Sequence, residues 1–191
     1  MINMPKKSFL LCLFLLCLTV ACNRKTDLYK VVGVKDGDTM VLLSPQYQQV
    51  TVRLAEVDCP EKSQAFGQAA KQFTSDLCFG KMVKLIVNNT DRYGRTVGWV
   101  ELEDGTSINK QLVKNGYAWQ YRAYSKSMEL AMLEQQARQN RLGLWQDANP
   151  TPPWNFRKGE RENRVAKKET KLKKKRTYRK RRRKHVDTLA F

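Results

Sequence analysis

The chain has 191 residues and a formal charge of +18, with 41% hydrophobic residues, five cysteines and one histidine. This length and hydrophobic share exclude a wholly disordered polymer and fit a single domain with a real core. The lone His185 lies in a basic C-terminal run, which excludes a histidine-ligated zinc centre in the body. The charge is uneven: two basic residues precede residue 22, residues 157–191 carry seventeen Lys/Arg against four Asp/Glu, and +3 is left for the body between them.

In chain order, Lys6-Lys7 and the apolar run 9–20 form the charged and apolar regions of a secretory signal, too short to span a bilayer comfortably. Residues 1–21 are therefore expected to be removed on export, and 22–28 to form a linker. Cys22 follows the small Ala21 and resembles the lipidated cysteine of a bacterial lipoprotein box, giving a membrane-anchored product. Plain cleavage after Ala21, giving a periplasmic or secreted protein, is the other reading. Export removes Cys12 and Cys17. With Cys22 lipidated, Cys59 and Cys78 are an even pair in an oxidising compartment, where a bridge is permitted. Cys78 equally suits a buried helical core position.

Apolar runs at 29–34, 40–43 and 50–54, separated by Asp-Gly and Ser-Pro turn chemistry, predict a three-stranded meander. Residues 63–79 repeat apolar or small residues every three to four positions before Gly80 and predict a helix. Strands are expected at 81–88 and 96–102, a second helix from a Thr106 or Ser107 cap to Lys114, and a third over 127–141, with Met128, Ala131, Met132, Gln135 and Leu142 on its apolar stripe. Five strands with a long helix after the third make an α+β fold built on a closed barrel of the OB type, spanning residues 29–154. The prolines of 149–154 form a strap laid on the body through Trp145 and Trp154. The tail, residues 155–191, has no apolar stripe and is expected to be disordered.

The chemistry-bearing residues cluster at strand ends. In the meander Asp38 and Asp58 close neighbouring strands, so both can face one cavity. Such oxygen donors suit calcium or magnesium, and also admit manganese. Arg53 beside them offers the planar fork that a phosphate needs. Each residue also has a bland reading: Arg53 paired with Glu56, Glu61 capping the helix that follows, Arg95 paired with Asp91 in a turn.

The order Asp36-Gly-Asp38-Thr, Arg53-x4-Asp58-x-Pro-Glu61, Gly67, Asp91-Arg-Tyr-Gly-Arg95, Asn115-Gly and Gly143-Leu-Trp145 resembles the thermonuclease family, the staphylococcal-type nucleases. The resemblance covers nearly the whole body. It implies a calcium-dependent endonuclease that hydrolyses DNA and RNA with little sequence preference. Carried over by position, it implies that Asp38, Asp58 and the main-chain carbonyl of Cys59 bind Ca2+. Arg53 and Arg95 would grip the scissile phosphate, and Glu61 would hold and deprotonate the attacking water. Tyr93, Tyr121 and Tyr124 would lie near substrate. No protein partner is implied and a monomer is expected. The competing function is a non-catalytic nucleic-acid-binding lipoprotein on the same barrel, using its basic tail. That tail suits nucleic acid phosphates or, in an anchored protein, anionic lipid.

Overall fold

The structure, a computed structural model, describes residues 28–188, with side chains as far as residue 177. The signal segment and Cys22 lie outside the described residues. Five strands close into a barrel in the order β1 (Leu28–Asp36), β2 (Thr39–Leu43), β3 (Gln49–Leu54), β6 (Thr96–Leu102) and β5 (Met82–Thr90). All pairings are antiparallel except β3 with β6, which runs parallel and sets Arg53 opposite Val97. The period-2 pattern explains the closure: Val31, Met40, Leu42, Val52, Leu54, Val83 and Val100 turn inward into one dry core. The expected α+β barrel is therefore present. A further short pair, β4 (Val57–Asp58) with β7 (Trp119–Gln120), lies outside it and sets Asp58 opposite Trp119.

Helix α1 (Gly67–Cys78) starts four residues later than its periodicity suggests, because 61–66 is taken up by turns, with Phe66 at φ 64°. It packs Ala70, Thr74 and Cys78 on the barrel. Helix α2 (Ile108–Lys114) is capped by Ser107, and its buried Asn109 accepts from the Val100 amide and donates to the Ala55 carbonyl. Gly116, φ 72°, follows that helix and abuts Gly143: a Cβ on Gly116 would sit 2.2 Å from the Leu142 carbonyl oxygen, so the Asn115-Gly and Gly143-Leu-Trp motifs let two chain segments touch backbone to backbone.

Helix α3 (Met128–Gln139) corrects the expected stripe. Its buried residues are Leu130, Glu134 and Ala137, whereas Met128 and Met132 are exposed. The phase is set by Glu134, whose carboxylate accepts from the Gln120 amide at 2.7 Å and meets Arg138 at 2.7 Å and Arg122 at 3.4 Å. A hydrophobicity pattern has no reason to place a carboxylate inward. After a 3-10 turn (Gly143–Gln146), a fourth helix, α4 (Pro153–Thr188), replaces the disorder expected of the tail. Lys, Arg, Glu and Ala are good helix formers, and the first turn is anchored: Trp154 meets Trp119 edge-on, within the cluster of Trp119, Leu144 and Trp145. From Arg161 onward the helix is exposed on every side as far as side chains are described.

Cys59 and Cys78 are both buried free thiols, so the permitted bridge does not form. Burial pushes the Cys78 thiol from its ordinary 9.0 up to about 12. For Cys59, burial and then the nearby carboxylates of Asp38 and Asp58 push it well above 9.0. Neither thiol is expected to react with iodoacetamide in the folded protein at pH 8, and both should react in urea; rapid alkylation of the native protein would contradict this burial. Above pH 9 the unfolded chain releases the Cys78 proton while the folded chain retains it, so the unfolded state binds fewer protons and stability should fall between about pH 9 and pH 12. Urea titration at pH 8 and pH 10, compared with Cys78→Ser, measures this contribution.

Candidate active site

The β1–β2 turn carries Asp36-Gly37-Asp38-Thr39, and its glycine is required by a close approach. A Cβ at Gly37 would lie 2.8 Å from the Cβ of Cys59 and 2.9 Å from that of Ala70. Thr74 on α1 donates to the Gly37 carbonyl at 2.6 Å, holding the turn down. This seats Asp38 against the segment after β4, where the Cys59 amide donates to Asp38 Oδ2 at 3.2 Å and Thr39 Oγ1 donates to Oδ1 at 3.0 Å.

Arg53, at the end of β3, spans the two aspartates. One terminal nitrogen lies 2.7 Å from Asp38 Oδ2 and the other 2.8 Å from Asp58 Oδ1. Burial alone would lower the guanidinium's pKa, but the two carboxylates more than offset it and hold it above its ordinary value. A second guanidinium comes from far along the chain. Arg157, in the first turns of α4, donates to Asp58 Oδ2 and to Glu61 Oε1, each at 2.7 Å. The side chains of Asp38 and Asp58 are 7% and 0% exposed, whereas Glu61 is 37% exposed. The first two can hold a buried cation, and the third can meet water.

The structure thus gathers Asp38, Arg53, Asp58, Cys59 and Glu61. Arg95 is not brought to that cluster by any described contact. It lies in the β5–β6 hairpin turn, where its guanidinium pairs with Asp91 at 2.7 Å and lies 5.6 Å from the Tyr93 ring. The small burial of Asp91 would raise its carboxyl, but the amides of Arg95 and Tyr93 and the Arg95 side chain outweigh this and hold it below its ordinary value. Tyr93 is exposed, with Arg92 over its ring at 4.9 Å. Tyr121 stacks on Trp154 at 5.5 Å with planes 6° apart, and Tyr124, also exposed, lies 4.9 Å from Tyr121. The Tyr121 amide donates to the Glu56 carbonyl, which ties this aromatic group to the strand bearing Asp58. Glu56 turns its carboxylate to Ser125 at 2.6 Å, so it is not the partner of Arg53.

Residues 51–147 match the family described as staphylococcal nuclease homologue. The chain belongs to this family. It is similar to an uncharacterized endonuclease of Haemophilus influenzae, 41% identical over 162 residues that cover 84% of this chain and 90% of the relative. A micrococcal nuclease of Shigella flexneri is 42% identical over 142 residues, 69% of this chain and 81% of that protein. An uncharacterized endonuclease of Escherichia coli O157:H7 is 38% identical over 153 residues, 80% of this chain and 97% of the relative.

The staphylococcal nuclease homologues are expected to hold a divalent cation, and the donors here fit one in kind. Asp38, Asp58 and Glu61 supply hard, anionic oxygens, and each already faces a cationic nitrogen at 2.7–2.8 Å. Among the described residues no group of three or more His, Cys, Asp or Glu closes into a metal cluster; Arg157 is the cation lying between Asp58 and Glu61. Sequence reasoning missed Arg157 and the stacking role of Trp154. Nothing local distinguishes Arg157 from sixteen other basic residues in the tail, although the anchoring tryptophan three residues before it marks where the tail meets the body.

Proposed function

We propose that this chain is a calcium-dependent phosphodiesterase that cleaves DNA and RNA internally with little sequence preference. The observation that carries the reading is Arg53 suspended between Asp38 and Asp58, because a planar fork beside two buried carboxylates is the arrangement that a phosphate and a cation can share. When bound by Asp38, Asp58 and the Cys59 carbonyl, the cation would offset negative charge on the phosphate. Arg53 would turn its donors to the phosphate oxygens as the aspartates engage the cation. Arg95 would join from the hairpin by exchanging Asp91 for a phosphate oxygen, an exchange between partly exposed groups that costs little. Glu61, the carboxylate open to water, would orient the attacking water and accept its proton. Tyr93, Tyr121 and Tyr124 would pack against sugar or base. The names borne by the relatives and the DNA and RNA substrates of the family support this reading.

Supercoiled plasmid incubated with the mature protein should be nicked and then linearised with calcium, and left intact with chelator. Magnesium and manganese should be weaker. Glu61→Gln should be at least about 100-fold slower. No cleavage with any of the three metals would instead favour the non-catalytic nucleic-acid binder. Export belongs to the same proposal, with residues 1–21 removed and Cys22 lipidated as a membrane anchor. The intact mass of the membrane-fraction protein should then include acyl chains on Cys22; a soluble product starting at an unmodified Cys22 would replace the anchored form by the secreted one.

A further inference from the structure

Helix α4 carries its charge in a pattern that its composition does not require. From the site outward, Arg157, Arg161, Arg164, Lys168, Lys171 and Lys175 recur at steps of four, three, four, three and four. At about 3.6 residues per turn, all six fall within about 40° of a single line along the helix. Glu160, Glu162 and Glu169 lie off that line, as do the cations Lys158, Lys167, Lys173, Lys174 and Arg176, which are spread over the remaining faces. The row spans about 27 Å at ~1.5 Å per residue. It is exposed from Arg161 onward, and the 2.9 Å pair of Arg164 with Glu160 joins two exposed groups, so it exchanges at little cost.

The near end of the row is fixed at the candidate active site. Arg157 bonds Asp58 and Glu61 at 2.7 Å, and Trp154, one turn earlier, stacks on Tyr121. We infer that this row is a rail for a nucleic acid backbone, laying successive phosphates along α4 and ending at the carboxylates that Arg157 touches. The identity of the polyanion rests on the phosphodiesterase reading, which the rail deepens by assigning a polymer-binding surface outside the barrel. A linear row matches a linear polyanion, whose duplex form presents about one phosphate per 3.4 Å of each strand. A helix that lies on lipid needs an apolar face beside its cations. Here Val165 and Leu172, two turns apart on one side, are the only large apolar residues between positions 157 and 177, too few to make such a face.

The test uses the full mature chain, with chelator present, and measures affinity for a short labelled duplex across a salt series. In one variant Arg161, Arg164, Lys168, Lys171 and Lys175 all become glutamine; in the other, Lys158, Lys167, Lys173, Lys174 and Arg176 do. Each removes the same charge from the same helix, and circular dichroism confirms that both remain helical. The row variant should lower the slope of log affinity against log salt by about 4.5, since each of the five phosphate contacts contributes ~0.9. The off-row variant should lower it by less than half as much. Equal losses in the two variants overturn the rail. So does a row variant that loses binding to anionic lipid vesicles while keeping its affinity for DNA. Cleavage of a single-stranded oligonucleotide by the unsubstituted protein, with calcium in place of chelator, is scored separately: its absence would remove the phosphodiesterase reading, while the binding comparison would still decide the rail.

Discussion

Arg53→Lys is expected to slow plasmid cleavage by at least about 100-fold, the equivalent of ~3 kcal/mol of transition-state stabilisation lost with a preorganised donor. Lysine keeps the positive charge but not the fork. A guanidinium reaches Asp38 and Asp58 with different nitrogens at 2.7 Å and 2.8 Å, whereas an ammonium is a point charge that cannot match two oxygens in a fixed plane. Arg53→Ala separates the structural share of this residue from the catalytic one. Without it, Asp38 loses its guanidinium partner, and Asp58 keeps only Arg157. Removing one partner of a buried ion pair destabilises by ~3–5 kcal/mol, so the metal-free variant should melt well below the parent. A divalent cation that binds the two aspartates stabilises the folded state by mass action, and the calcium-induced rise in melting temperature should be larger in Arg53→Ala than in the parent. Full activity in Arg53→Lys would detach the guanidinium from the reaction. An unchanged calcium response in Arg53→Ala would detach the aspartates from the metal.

The second large effect is expected at Glu134, far from the reacting groups. Glu134→Ala should lower unfolding free energy by ~3 kcal/mol, made up of the orphaned Gln120 amide at ~1–3 kcal/mol and the cavity left in the α3 interface. The ion pairs add little to this figure. Arg138 and Arg122 are 44% and 70% exposed and can return to water when the carboxylate is gone. Arg138 also lies over Trp145 at 3.8 Å, a contact that survives the substitution. Glu134→Gln keeps an acceptor for the amide and should cost about 1 kcal/mol. Because Gln120 lies in β7, which pairs with the strand holding Asp58, part of the loss should also appear as weaker calcium binding. Urea denaturation gives the first quantity and calorimetric titration the second. An alanine variant as stable as the parent would show that the buried carboxylate is dispensable.

The barrel was legible because its determinants are local. Alternating valines and leucines, the Asp36-Gly37 turn and the Ser107 cap each act over a few residues, and each element fell close to where those patterns put it. Asp38, Arg53 and Asp58 were legible as a cluster for a related reason: consecutive antiparallel strands with short turns leave little freedom in which end meets which. Burial of the third helix was read out of phase, since exposed Met128 and Met132 outweigh Glu134 on any hydrophobicity scale, and only the Gln120 amide and the two arginines make an inward carboxylate tolerable. The tail's composition correctly excluded a core but did not exclude a helix, because good helix formers can lengthen a turn that tertiary packing has already nucleated at Trp154.

What the sequence determined by itself is the family, the barrel and the identity of the acidic and guanidinium groups at its rim. Tertiary structure alone decided their partners: that Arg157 crosses ninety-nine positions to bond Asp58, and that Arg53 bridges Asp38 and Asp58 rather than pairing with Glu56. The physical reason is one of range. Backbone preference and side-chain periodicity act across a turn or two, whereas the choice of counter-ion for a buried carboxylate depends on which charges the completed fold brings within about 3 Å.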